Sequence, residues 1–185
     1  LRREYGEKTP EIVKAFQSAW PDKNTADILF HDAGMRRDAI DFAKLRADFT
    51  DAGVYNFLFA LESPFNGGTV SFHNSEIPYV FHNAEYLEAS FIPGVTQKLQ
   101  NIMSGAWVNF ARTGDPNGSG VPHWERFGGE RTQTMIFDVT CRMGADHDRE
   151  LLSLMPVRQV DLSGMMGAKK IIKKKKKEAG MFIKK

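Results

Sequence analysis

Residues 54–61 read V-Y-N-F-L-F-A-L. This apolar run follows Gly53 and precedes Ser63-Pro64-Phe65-Asn66-Gly67-Gly68, a loop signal. A short dense run without polar alternation reads as a strand buried on both faces. Upstream, Thr9-Pro10-Glu11 has the marks of a helix start: a capping hydroxyl, proline at the first helical position and a carboxylate near the positive end of the dipole. Ile12, Val13, Phe16 and Trp20 follow at helical spacing, and Pro21 ends the segment. Thr25 is read as the cap of a second helix reaching about Asp48, with Ile28, Leu29, Ala39, Ile40 and Phe42 as its buried positions and Gly34 as a bend or break.

Downstream, Val95 to Thr113 predicts a long helix. Leu99, Ile102, Met103, Ala106, Trp107 and Phe110 share one stripe, read as core packing, and Gly114 is the stop. Asp115-Pro116-Asn117-Gly118-Ser119-Gly120 is a turn cluster, and Thr134-Met135-Ile136-Phe137-Asp138 a second strand. Strands joined by long helical connections predict an α/β fold with a parallel sheet. Two strands alone are marginal, so further strands are expected from elsewhere. A strand left without neighbours would also make the chain poorly soluble.

At 185 residues the chain can bury one core. No apolar run reaches membrane-spanning length. The start, L-R-R-E-Y-G-E-K, lacks the apolar stretch of a signal peptide and has no methionine. The natural N-terminus is therefore expected upstream, and a cytoplasmic and a secreted location both stay open. Charge divides sharply. Residues 169–185 hold nine lysines and one glutamate, and removing these from the totals of 25 basic and 23 acidic residues leaves a body of net charge −6. No nucleic-acid partner is expected for that acidic body.

Five histidines are present: His31, His73, His82, His123 and His147. No pair has metal-ligand spacing and the single Cys141 forms no Cys-x-x-Cys set, so neither a metal nor another cofactor is expected. His31 is placed within a helix, His82 reads as a structural hydrogen-bonder, His123 sits in a Pro-His-Trp turn, and His147, between Asp146 and Asp148, is placed on the surface. His73 lies in the loop-like stretch S-F-H-N-S-E-I-P-Y-V-F-H-N, residues 71–83. None of the nine serines sits in G-x-S-x-G, the strand–turn–helix motif that exposes a nucleophilic hydroxyl. Cys141 reads as a small packed residue. The residues alone thus offer a histidine base with nothing for it to activate.

Four segments taken in order resemble the C-terminal third of a type-B carboxylesterase, the cholinesterase-like branch of the α/β-hydrolases that includes para-nitrobenzyl esterases. They are Tyr55-Asn56-Phe57-Leu58-Phe59; Phe72-His73-Asn74-Ser75-Glu76-Ile77-Pro78-Tyr79-Val80-Phe81; Trp107-Val108-Asn109-Phe110-Ala111-Arg112-Thr113-Gly114-Asp115-Pro116-Asn117; and Pro122-His123-Trp124 with Thr134–Asp138. The resemblance covers residues 1–150 and is strongest from 55 to 140. It implies the C-terminal part of an α/β-hydrolase fold, late sheet strands plus packing helices, incomplete without upstream strands. It also implies that His73 is the histidine of a Ser–His–acid triad acting on small-molecule carboxylic esters, with serine and acid upstream of Leu1. Phe65 and Phe72, and Phe81 beside them, are candidate acyl-pocket residues, with packing an equal alternative. Asn74 stands where the family carries glycine, and asparagine tolerates the left-handed backbone that glycine would supply.

Residues 151–167 read as a linker or C-terminal extension. The Lys-rich tail, 168–185, does not resemble the family and reads as a solvated end, as non-native sequence, or as a polybasic segment for anionic lipid or nucleic acid. Two other functions stay open: a non-catalytic, cholinesterase-like adhesion protein, and a surface-binding module driven by the tail.

Overall fold

Thr134 to Phe137 are wholly buried, and this segment forms the middle of the sheet. Strand β1 (Phe57–Phe59) runs parallel to β2 (Gln133–Phe137), with Leu58 opposite Ile136. Strand β3 (Arg142–Ala145) pairs antiparallel on the other side, with Met135 opposite Met143, giving the order β1-β2-β3. The sheet is therefore mixed. β3 was not legible in the sequence because R-M-G-A has neither alternation nor branched residues. The structure, a computed structural model, describes residues 1–156 except 66, 67 and 119; the Lys-rich tail and most of the 151–167 segment lie outside the described residues.

Side chains of successive strand residues point to opposite faces, and both faces are covered. Leu58 and Ile136 enter one core with Ile12, Phe16, Trp20, Ile28 and Ile40. Phe57, Phe59, Met135 and Phe137 enter the other with Tyr79, Leu99, Met103, Ala106 and Trp124. The first core is supplied by α2 (Thr9–Ala19), α3 (Ala33–Asp48) and α6 (Arg149–Leu154), after a short α1 (Arg2–Tyr5). The second is supplied by α4 (Ile77–Val80) and α5 (Thr96–Thr113). The result is a sheet between two helical layers. α6 carries Leu151 and Leu152 into the first core together with Met155, so the folded body runs past residue 150, where the sequence reading set its edge.

Several local expectations are corrected. The β1 run pairs over three residues rather than eight, and those three are half-buried because they lie at an edge. Thr9 does not cap α2; its hydroxyl donates to the Gly6 carbonyl at 2.7 Å from within the first turn. The second helix is two elements. A 3-10 helix (Thr25–Phe30) is capped by Asn24, whose side chain accepts from the Ala26 N–H at 2.9 Å. The α3 helix restarts after Asp32, which accepts from the Met35 N–H at 2.9 Å. The break falls at His31 and Asp32, so His31 is not helical and Gly34 is inside the new first turn. Ile28 and Ile40 are buried as expected, whereas Leu29, Ala39 and Phe42 are exposed. The α5 helix starts one residue later than read, at Thr96, and Phe110 of the expected core stripe is exposed; Gly114 ends it as read at φ 76°, a left-handed conformation that glycine adopts without strain.

One buried polar network ties these layers together. The Arg36 Nε donates to Asp148 Oδ2 at 2.9 Å, and its Nη2 to Asp148 Oδ1 at 3.2 Å and to Thr134 Oγ1 at 3.0 Å. Asn56 Nδ2 donates to the same Thr134 hydroxyl oxygen at 3.1 Å. Helix α3, strand β2, the approach to β1 and the start of α6 are thereby fixed to one another. A bidentate guanidinium–carboxylate pair in a dry site is geometrically demanding, so it specifies this arrangement over alternatives.

Candidate functional site: a groove along the sheet edge

Beside β1 lies a groove of about 540 Å³. Its walls are the end of α2 (Phe16, Trp20), the 3-10 segment and first turns of α3 (Phe30, His31, Met35, Arg36), strand β1 itself and residues Val70 to His73. His73 is exposed at its rim.

The loop carrying His73 is pinned at both ends. Ser63 and Thr69 exchange two backbone hydrogen bonds of 2.9 Å, closing a small loop that holds Phe65. Ser63 Oγ donates to the Ala89 carbonyl at 2.6 Å and Ser71 Oγ to the Leu61 carbonyl at 2.7 Å. The Ser75 N–H donates to the Phe72 carbonyl at 3.0 Å, so His73 sits in a turn. Asn74 takes φ 69°, the left-handed region that its place in the sequence suggested. Pro78 lies in the first turn of α4, which starts immediately afterwards and buries Tyr79, whose hydroxyl donates to the Ser90 carbonyl at 2.5 Å. A chain anchored before and after the histidine holds the His73 backbone at a fixed place on the rim.

Of the other residues singled out in the sequence, Phe72 lines the groove and is 49% exposed. Phe65 and Phe81 are also exposed, and neither is in the groove wall. His82 takes φ 57° and its Nε2 lies 2.6 Å from Asn101 Oδ1, a structural contact as read. His147 is not a surface residue. Its ring meets Trp20 edge-on at 4.4 Å, and Nε2 is buried without a partner among the described residues. Burial lowers its pKa to about 4, with Asp148 opposing and Arg142 reinforcing that shift. Burial likewise lowers the pKa of His31, against the attraction of Asp148. Both rings are held neutral.

Also on the groove wall, Lys23 Nζ reaches Asp138 Oδ2 at 3.2 Å and Glu62 Oε1 at 3.3 Å and donates to the Ala60 carbonyl at 3.0 Å. Asp27 also lines the groove, and burial, then the neighbouring Glu62, raises its pKa. Among the described residues no three His, Cys, Asp or Glu side chains form a group that could hold a metal ion. Lys23 and Arg36 were missed in the sequence because their partners lie far along the chain, at Asp138 and Asp148.

The family model for the carboxylesterase family matches residues 15–152, and the chain belongs to that family. It is 28% identical over 118 residues to the para-nitrobenzyl esterase of Bacillus subtilis, a match covering 62% of this chain and 23% of that protein. It is 34% identical over 107 residues to the phenmedipham hydrolase of Pseudarthrobacter oxydans, covering 55% of this chain and 20% of that one. A solved esterase of Clostridium hathewayi, described as hydrolysing aliphatic aromatic polyesters, superposes with a TM-score of 0.77 at 35% identity, over 83% of this chain and 30% of its own. The chain is therefore part of an α/β-hydrolase fold and spans under a third of the length of these three relatives.

Proposed function

We propose that this chain supplies the histidine, His73, of a Ser–His–acid triad that hydrolyses small-molecule carboxylic esters. The serine and the acid belong to polypeptide outside these 185 residues. The observation that carries the reading is the position of His73 on the rim of the groove beside the sheet edge, in a chain of the carboxylesterase family. The His73 imidazole takes the proton of the serine hydroxyl as its oxygen attacks the ester carbonyl. It then protonates the leaving alcohol, and the cycle repeats with water attacking the acyl-enzyme. The chain by itself has no appreciable esterase activity, because it holds no G-x-S-x-G nucleophile. Phe72, on the groove wall next to His73, is the residue here best placed to meet the acyl group. Residues 1–150 form the bulk of this C-terminal portion of the catalytic domain.

The test is a chimera in which the matched residues of the Bacillus subtilis para-nitrobenzyl esterase are replaced by those of this chain. Para-nitrophenyl acetate hydrolysis is then compared in the His73→Ala and His82→Ala variants. Loss of about 10³-fold or more in kcat is expected for His73→Ala, and a change of no more than a few fold for His82→Ala. Full activity in the His73→Ala chimera would overturn the assignment.

A further inference from the structure

Among the described residues none hydrogen-bonds the His73 imidazole, so the ring goes where its backbone turn holds it. That turn is closed by two bonds. The Ser75 N–H donates to the Phe72 carbonyl at 3.0 Å, and the Ile77 N–H to the Asn74 carbonyl at 3.2 Å. Ile77 begins α4, which is a single helical turn. One turn of helix has little stability of its own, so whatever fixes α4 also fixes the His73 turn.

Tyr79 is the buried residue of α4. Its ring packs on Phe59 of β1 with 5.3 Å between centroids, and its hydroxyl donates to the Ser90 carbonyl at 2.5 Å. That carbonyl also accepts from Thr96 Oγ1 at 2.8 Å, and Thr96 Oγ1 in turn accepts from the Ile92 N–H at 2.7 Å. Thr96 is the buried first residue of α5. The Tyr79 side chain therefore ties the His73 turn to a strand through its ring and to a long helix through its phenol. The upstream end of the loop hangs on the adjacent carbonyl, since Ser63 Oγ donates to Ala89 at 2.6 Å. Burial raises the Tyr79 pKa, with the Thr96 hydroxyl opposing, so the phenol stays a protonated donor wherever an imidazole acts as a base.

We propose that Tyr79 is a positioning residue for His73. Its hydrogen bond to Ser90 holds α4 against the start of α5, and through α4 it holds the turn, so that the imidazole meets the serine hydroxyl in one geometry. The assignment rests on the reading of His73 as the base of the triad. Phenylalanine at this position keeps the ring contact with Phe59 and loses only the tether. The Ser90 carbonyl keeps Thr96 as its donor, so no buried acceptor is orphaned and the fold persists. What changes is the freedom of the turn, and a base displaced by about an ångström forfeits much of its effect.

The experiment places Tyr79→Phe in the same chimera, beside Asn109→Ala. The latter removes a bond of similar length, from Asn109 Nδ2 to the Asn117 carbonyl at 2.7 Å, towards the other end of α5. With para-nitrophenyl acetate, Tyr79→Phe should lower kcat about tenfold and leave KM within about twofold. Asn109→Ala should leave both constants within about twofold while lowering the thermal midpoint at least as far. A second measurement needs no activity: amide hydrogen exchange in the 185-residue chain. The Ser75 and Ile77 amides should exchange about tenfold faster in Tyr79→Phe, with Met103 in the middle of α5 unchanged. A parental kcat in Tyr79→Phe, where His73→Ala has lost activity, would overturn the positioning role and leave the hydrolase reading standing. Unchanged exchange at Ser75 and Ile77 would also overturn it, as would an acceleration shared by Met103 or an equal kcat loss in Asn109→Ala, since these mark general loosening. Full activity in His73→Ala would remove the hydrolase reading and the role of Tyr79 together.

Discussion

His147 should make this protein less stable as pH falls from about 6.5 towards 4. The ring is wedged against Trp20 and held neutral, with a pKa of about 4 in the fold against an ordinary 6.5. Above pH 6.5 the ring is neutral in both states and costs the fold nothing. As pH falls from 6.5 the unfolded chain takes up a proton that the folded ring refuses, so stability declines until the folded ring also titrates near pH 4. A shift of about 2.5 units corresponds to at most ~3.4 kcal/mol. Part of the ring meets solvent, which screens the effect, and about 2 kcal/mol is the expected loss. With an m-value of about 2 kcal/mol/M, the urea midpoint should drop by roughly 1 M between pH 7 and pH 4.5 because of this residue. The perturbation is His147→Phe, which keeps the edge-on contact with Trp20 and removes the titrating group. The assay is urea unfolding followed by tryptophan fluorescence at a series of pH values. His31 shifts in the same direction, so the variant should keep a residual slope while losing the larger part. Equal pH slopes in the variant and the parent would refute the reasoning, as would an imidazole titration by NMR with the His147 midpoint near 6.5.

The buried pair gives a second expectation. Arg36→Met should cost about 3–5 kcal/mol by leaving Asp148 charged and unpaired, and the double change Arg36→Met with Asp148→Leu should recover much of it in the same urea assay. Ile136→Ala, at the centre of the sheet, should cost about 2–5 kcal/mol, read as a lowered midpoint in thermal unfolding. Asn74→Gly should leave stability within about 1 kcal/mol of the parent, whereas Asn74→Val should destabilise the His73 turn and speed amide exchange at Ser75, because a β-branched residue does not accept φ 69°.

The second core was legible because its sources are strongly periodic. The α5 stripe and the Thr134–Asp138 strand owe their pattern to side-chain geometry that repeats every 3.6 or 2 residues. The first core was harder. Helix α3 carries two apolar faces, and the spacing of Phe42 says nothing about which face meets the sheet; the structure buries Ile40 and exposes Phe42. Neither β3 nor the His147–Trp20 contact has a local signal, since each is defined by a partner elsewhere in the chain.

The sequence by itself determined the class of the fold, from two apolar strands and a long striped helix in a chain that matches the carboxylesterase family. These are local patterns, set by periodicity and turn chemistry, and they survive in a chain spanning under a third of its relatives. Only the tertiary structure decided which face of α3 is inside, that Arg36 and Asp148 meet across the first core, and that His147 packs edge-on against Trp20. It also decided that β1 ends the sheet, with the backbone N–H and C=O of Phe57 and Phe59 facing away from β2 beside a groove. Those facts depend on residues up to 127 positions apart, as with Trp20 and His147, and nothing local encodes such a pairing; it follows from closing both helical layers over one sheet.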